Sequence, residues 1–195
     1  MVAPPTRCGT MTTKAELRSL LRKRRAAFQA THSQPFPLHE QLRTIIAGSA
    51  CIGSYWAIGS EPDMIAINQF AAETDVMLSL PRVDGRGTTM AFHVWLPGDP
   101  LETAAFGFAQ PLASAPIVTP TLLLIPMLGF DRAMQRIGQG AGHYDRYTAR
   151  FPLARKVGIA WSVQEAAQLA TDPWDVPMDA ICTEKEWICP TPVIA

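Results

Sequence analysis

The 195-residue sequence is most informative first in what it lacks. It has no apolar run near the ~18 residues that a membrane-crossing helix needs. Its first ten residues have no apolar centre of the kind a signal peptide carries. Cysteine is scarce: Cys8, Cys51, Cys182 and Cys189 form no C-x-x-C pair and have no histidine at metal-ligand spacing, which argues against a thiolate zinc or redox centre. Cys51 and Cys182 fall in apolar runs and read as buried free thiols, so a cytoplasmic location is expected. Net charge is also absent, since 17 basic residues balance 17 acidic ones. That balance argues against nucleic-acid or membrane binding through bulk charge. No Gly-Lys-Ser/Thr closes a Walker loop, no G-x-G-x-x-G marks a dinucleotide fold, and no Ser-His-Asp or Cys-His pattern suggests a protein nucleophile.

What remains is organised around residues 136–147, Arg-Ile-Gly-Gln-Gly-Ala-Gly-His-Tyr-Asp-Arg-Tyr. The apolar run over residues 121–126 precedes it and reads as a buried strand. Residues 143–150 contain neither Gly nor Pro and read as a helix. Gly138, Gly140 and Gly142 therefore stand between strand and helix. Either they simply make a tight turn, or they gather backbone N–H groups and a helix start around an anion. Arg136 and Arg146 bracket the loop and favour the second reading. Asp145 would repel a bound phosphate unless a cation such as Mg²⁺ lay between them.

Elsewhere the chain alternates helices with strands, which implies a three-layer α/β/α fold with a largely parallel sheet. The length suits one domain over residues 13–195, with residues 1–12 expected to be a disordered tail. Thr13 and Glu16 make a capping box for a helix reaching about Phe28. Lys14, Arg18 and Arg25 border its apolar stripe of Leu17, Leu20, Leu21 and Phe28. Two cations near a helix start oppose its dipole, which an anion would reverse. On the helix alone, a solvated basic face and an anion site both stay open; Lys23 reads as solvated.

Further helices are expected over residues 38–48, 64–74 and 163–169. Strands are expected over 51–58, 76–80, 89–96, 156–161 and 179–183, with a turn over 84–87. Asp63 reads as a helix N-cap, and His93 as an ordinary strand histidine. Glu61 sits just beyond a strand's C-terminal end, where open α/β sheets bind ligands. Trp56, beside Tyr55, reads as core or as a ligand wall. The irregular stretch over 97–120 has the length of a binding loop. Asp175, in Pro173-Trp174-Asp175, reads by itself as a turn acid or as a ligand.

These motifs resemble the 5-formyltetrahydrofolate cyclo-ligase family. The similarity rests on Ile125-Pro126, Gly129-Phe130-Asp131, and Arg136-Ile-Gly-Gln-Gly-Ala-Gly-His-Tyr144-Asp145. It is joined by Lys14-x-x-x-Arg18, Leu-Pro-Arg at 80–82, Met90-Ala-Phe92 and Phe106-Gly-Phe-Ala-Gln-Pro111. The departures are Ile137, Gln139, Ala141 and His143, and Trp174 where the family has His or Asn before the Asp. The resemblance implies a Rossmann-like sheet of the phosphosugar-isomerase and CoA-transferase kind. It implies an ATP site at Lys14, Arg18, Arg136, Gly138, Gly140, Gly142 and Tyr144. A folate site is implied at Trp56, Glu61, Gln139, Gly140, Ala141, Gly142 and His143, with Mg²⁺ on Asp145 and Asp175. Arg136, Arg146 and Tyr144 are the implied catalytic residues. On our own reading, His143 and Tyr144 are expected to line the junction of folate and phosphate.

The implied activity is ATP- and Mg²⁺-dependent closure of 5-formyltetrahydrofolate to 5,10-methenyltetrahydrofolate, releasing ADP and phosphate. The expected partners are these small molecules, without nucleic acid or membrane, and the chain is expected to act as a monomer. Two rivals remain: a phosphosugar-type enzyme on the same sheet, needing no ATP, and a non-catalytic relative binding nucleotide or RNA through the arginine-rich helix. Zero net charge disfavours the RNA reading.

Overall fold

The computed structural model describes residues 13–85, 88–104 and 107–190. The expected tail with Cys8, the Arg86-Gly87 end of the 84–87 turn, and Phe106 lie outside the described residues.

In chain order the elements are α1 (Lys14–Thr31), α2 (Glu40–Ala47), β1 (Cys51–Gly53), α3 (Ile65–Glu73), β2 (Met77–Arg82) and β3 (Ala91–Val94). There follow β4 (Leu101–Thr103), β5 (Ala109–Pro111), β6 (Ile117–Val118), β7 (Leu122–Pro126), β8 (Gly129–Phe130) and β9 (Arg136–Ile137). The last are α4 (His143–Arg150), β10 (Arg155–Ile159), a 3₁₀ turn (Ser162–Gln164), β11 (Ala180–Cys182) and β12 (Trp187–Ile188).

Eight strands form one sheet in the order β12-β11-β10-β7-β1-β2-β3-β6. The central run from β11 to β2 is parallel, and the flanking β12, β3 and β6 are antiparallel. Parallel strands need covered faces, and the sequence supplies them by alternation along β7. Leu122 and Leu124 enter the core shared with Leu42 and Ile46 of α2 and Ile67 of α3. Leu123 and Ile125 enter the opposite core with Phe92 and with Tyr147 of α4. This is the expected three-layer arrangement. Gly53 lies where no side chain fits, because a Cβ there would stand 2.6 Å from a ring carbon of Phe92.

Several expectations are corrected. The strand starting at Cys51 stops at Gly53 instead of Ile58, after which the chain leaves the sheet to form the Glu61 loop. The segment after Val163 is no helix beyond one 3₁₀ turn. There the Gln164 carboxamide accepts the Trp161 N–H at 2.7 Å, and Ala166 N–H turns away to Phe130 O at 2.8 Å. Asp63 does accept the Ile65 N–H at 3.1 Å, but the residue bounding α3 is Met64. The glycine loop does not follow β7 directly, because the β8–β9 hairpin intervenes. The 97–120 stretch holds three short strands. Within it Gln110 accepts the Val83 N–H at 3.1 Å, tying β5 to the end of β2. His93 is buried against Ala115 O at 2.7 Å, and Cys51 and Cys182 are buried free thiols, both as expected.

Among the described residues no helix is long and apolar enough to cross a membrane.

Candidate functional site

The site is assembled where α1 crosses the loops that leave β1 and β9. Its frame begins with the capping box: Glu16 N–H donates to Thr13 Oγ1, and Thr13 N–H to the Glu16 carboxylate at 2.8 Å. Leu21 then anchors α1 against Leu128 and Ile137. The helix comes so near that a Cβ on Gly129 would lie 2.5 Å from Leu21 Cδ1. This approach sets the height of Arg18 and Arg22 over the glycine loop.

Gly140 and Gly142 have φ of 104° and 65°, a left-handed backbone that glycine adopts without a Cβ penalty. Gly142 is the N-cap of α4, so the loop delivers the chain into His143 at the expected residue. Arg18 Nε donates to Gly138 O at 3.1 Å, and Arg22 Nη2 to Gln139 Oε1 at 2.9 Å. Two arginines of α1 therefore hold the loop's outer edge. At its inner edge Arg136, whose side chain is nearly buried, is paired with Asp145.

Lys14 bridges Asp172 Oδ2 at 2.5 Å and Asp175 Oδ2 at 3.1 Å. Burial opposes its charge, but the two carboxylates outweigh that and raise its pKa. Asp175 shows the mirror image: burial alone would raise it, yet the Asp172 N–H and Lys14 hold it below its ordinary value, and Arg136 adds to the effect. Arg136 thus lies within electrostatic reach of both acids expected to bind metal. Each of these carboxylates is neutralised by a cation of the chain: Asp145 by Arg136 and Asp175 by Lys14.

The opposite wall is built on Glu61. Arg25, expected only at the edge of the apolar stripe, is buried. It donates to Glu61 Oε1 at 3.3 Å, Ser60 Oγ at 3.1 Å and Met127 O at 3.3 Å. Glu61 also accepts the Ile58 N–H at 3.1 Å, and Gln139 Nε2 lies 3.5 Å away. Tyr144 projects from the start of α4 with a buried hydroxyl that has no hydrogen-bond partner among the described residues. Burial and the nearby Glu61 carboxylate push its phenol well above its ordinary pKa, against the pull of Arg136. A neutral, desolvated O–H without a partner is one that a ligand can satisfy. His143 Nδ1 is 3.2 Å from Arg146 Nη2, and burial followed by that guanidinium lowers the imidazole's pKa. Trp56 is 44% exposed and packs edge-on against Trp95 at 5.8 Å. Ala141 is exposed on the loop.

Thus Arg18, Glu61, Arg136, Gly138, Gln139, Gly140, Gly142, Tyr144 and Asp145 share one constellation, with Lys14 and Asp175 joined to it through Arg136. The Arg146–His143 pair sits at the start of α4, and Trp56 stands on the loop leading to Glu61. Asp172 was missed, although its place three residues before Asp175 across a proline is a turn signal. Arg25 was missed as the partner of Glu61.

A family model described as the 5-formyltetrahydrofolate cyclo-ligase family matches residues 10–184, nearly the whole chain and all of this constellation. The chain belongs to that family. Among curated cyclo-ligases, one from Mycolicibacterium smegmatis is 30% identical over 189 residues, covering 90% of this chain and 95% of that one. A cyclo-ligase from Mycoplasma pneumoniae is 44% identical over 63 residues, spanning 32% of this chain and 38% of its own length. Two solved structures share the cyclo-ligase fold. The Aquifex aeolicus 5,10-methenyltetrahydrofolate synthetase has a TM-score of 0.63 and 26% identity, over 91% of this chain and 84% of that one. The Mycoplasma pneumoniae synthetase has a TM-score of 0.66 and 25% identity, over 88% and 98%.

Proposed function

We propose that the chain is a 5-formyltetrahydrofolate cyclo-ligase, which phosphorylates the N5-formyl oxygen with ATP and closes the ring to 5,10-methenyltetrahydrofolate. The observation that carries this reading is the left-handed glycine loop held by Arg18 at Gly138 O and joined to Glu61 through Gln139, between Arg136 and the helix start that bears Tyr144.

A formamide is a poor electrophile because nitrogen donates into the carbonyl. Its oxygen leaves only once it has been made a phosphate ester. The formyl oxygen attacks the γ-phosphorus, and ADP departs. N10 then attacks the activated carbon and gives up its proton to solvent, and the formyl oxygen leaves within inorganic phosphate. Phosphoryl transfer demands alignment and charge neutralisation more than covalent help from the protein.

The loop N–H groups of Gly138, Gly140 and Gly142, with Lys14, Arg18 and Arg136, hold the phosphates. Arg136 and Arg146 neutralise the charge that develops on the transferred group. Tyr144 donates its unpartnered hydroxyl at the junction of the two substrates, beside His143. Glu61, fixed by Arg25, orients the folate against Trp56 and Gln139, while Ala141 leaves room above the loop.

Among the described residues no three His, Cys, Asp or Glu side chains form a metal cage. Mg²⁺ needs none when one or two carboxylates share it with substrate phosphates, and the oxygen donors Asp145 and Asp175 suit that mode. When bound there, Mg²⁺ would supply charge neutralisation between the phosphates. The ion pairs to Arg136 and Lys14 hold both carboxylates in place beforehand.

Purified protein mixed with 5-formyltetrahydrofolate and MgATP is expected to generate the methenyl product's near-ultraviolet absorbance, dependent on ATP and lost in Asp145→Asn. A flat trace with wild type at saturating substrates would reject the activity.

A further inference from the structure

We infer that Trp174 is the platform on which the base of the bound nucleotide stacks. The inference rests on the nucleotide site proposed above. Trp174 is 68% exposed, far outside the burial usual for an indole. It occupies the third position of a closed turn. Asp175 N–H donates to Asp172 O at 3.0 Å, and Asp172 N–H to Asp175 Oδ2 at 2.7 Å. Pro173 fixes the backbone torsion just before it. Lys14 clasps both carboxylates of the same turn. The backbone that carries the exposed ring is restrained before any ligand arrives, so little backbone freedom remains to be lost on binding.

Position assigns the ligand. Trp174 is the immediate neighbour of Asp175, whose carboxylate is bound by Lys14 and lies in the field of Arg136. A nucleotide whose phosphates engage Lys14 and Arg136 carries its base one ribose away, and the turn that bears Trp174 is the one Lys14 holds. The other exposed indole, Trp56, lies on the loop leading to Glu61 and is edge-packed on Trp95. Two flat heterocycles must enter this site, and two indoles, Trp56 and Trp174, are exposed.

The test is calorimetric binding of MgATP, and separately of magnesium tripolyphosphate, to wild type, Trp174→Ala and Trp174→Phe. Stacking on an aromatic strengthens binding by about tenfold per base. Trp174→Ala is therefore expected to bind MgATP about tenfold more weakly. Trp174→Phe is expected to stay within about threefold of wild type, and tripolyphosphate affinity to be the same in all three proteins. Unchanged thermal unfolding is expected for both variants, because the ring is exposed. Equal MgATP affinity in wild type and Trp174→Ala would overturn the inference while leaving the phosphate site standing. So would a parallel loss of tripolyphosphate affinity, which would mark Trp174 as a support for the turn. If wild type bound neither ligand, the nucleotide site and this inference would fall together.

Discussion

Removing one partner of the Arg25–Glu61 pair tests the frame on which the whole site hangs. Their side chains are 4% and 5% exposed, so Arg25→Met strands a carboxylate in the interior. Only the Ile58 N–H and the more distant Gln139 amide remain to compensate it. The same change leaves Ser60 Oγ and Met127 O without the guanidinium. Breaking a buried pair in this way costs about 3–5 kcal/mol, a large share of the ~5–15 kcal/mol that holds a domain folded. With a urea slope of about 2 kcal/mol/M, the unfolding midpoint should fall by roughly 2 M. The double variant Arg25→Met with Glu61→Gln buries no charge and should recover about 2 kcal/mol relative to the sum of the single losses. Equilibrium urea unfolding of the four proteins measures the cycle. Single losses under about 1 kcal/mol, or strictly additive ones, would refute the claim that a desolvated ion pair fixes α1 to the Glu61 loop.

Three other outcomes follow from the same contacts. Gly129→Ala should cost about 1–3 kcal/mol by overpacking against Leu21. Because it lifts α1, it should weaken MgATP binding as well, and unfolding together with calorimetry checks both. Arg136→Met should lower kcat by about 100-fold, with a smaller change in the KM for the folate, as expected of a group acting on developing charge; steady-state kinetics decides. Asp175 has its folded pKa depressed. Its contribution to stability is therefore present above the unfolded pKa and lost as pH falls through the lower folded value, below the usual carboxylate range. Asp175→Asn should flatten that acid limb of the stability profile, by no more than about 1 kcal/mol because the pair with Lys14 is part-exposed.

Features written in local chemistry were legible from the sequence. Thr13 with Glu16 marked the start of α1, and Gly142 marked the start of α4. The continuous apolar run over residues 121–126 marked the strand at the centre of the sheet. Two-residue strands carry no periodicity, so β8 and β9 were invisible, and with them the hairpin that sets the glycine loop apart from β7. Strand length at Cys51 was overestimated because Tyr55 and Trp56 look like strand residues. In the fold Tyr55 is buried with its hydroxyl donating to Pro62 O, and Trp56 lies outside the sheet.

At the site the charged residues could be found individually, but their pairing could not. Asp145 meets Arg136 across a turn, Glu61 meets Arg25 across 36 positions, and Lys14 meets Asp172 across 158. Such partnerships depend on where α1 is laid down, which local patterns do not encode. The unpartnered Tyr144 hydroxyl is likewise a property of three-dimensional packing alone.

The central claim is that the formyl oxygen itself is phosphorylated over the glycine loop. It is tested most directly by following that oxygen. 5-Formyltetrahydrofolate carrying heavy oxygen in its formyl group would be turned over once with MgATP, and the released inorganic phosphate examined by mass spectrometry. The account predicts one heavy oxygen in each phosphate formed. Unlabelled phosphate, with the heavy oxygen recovered in water, would contradict it.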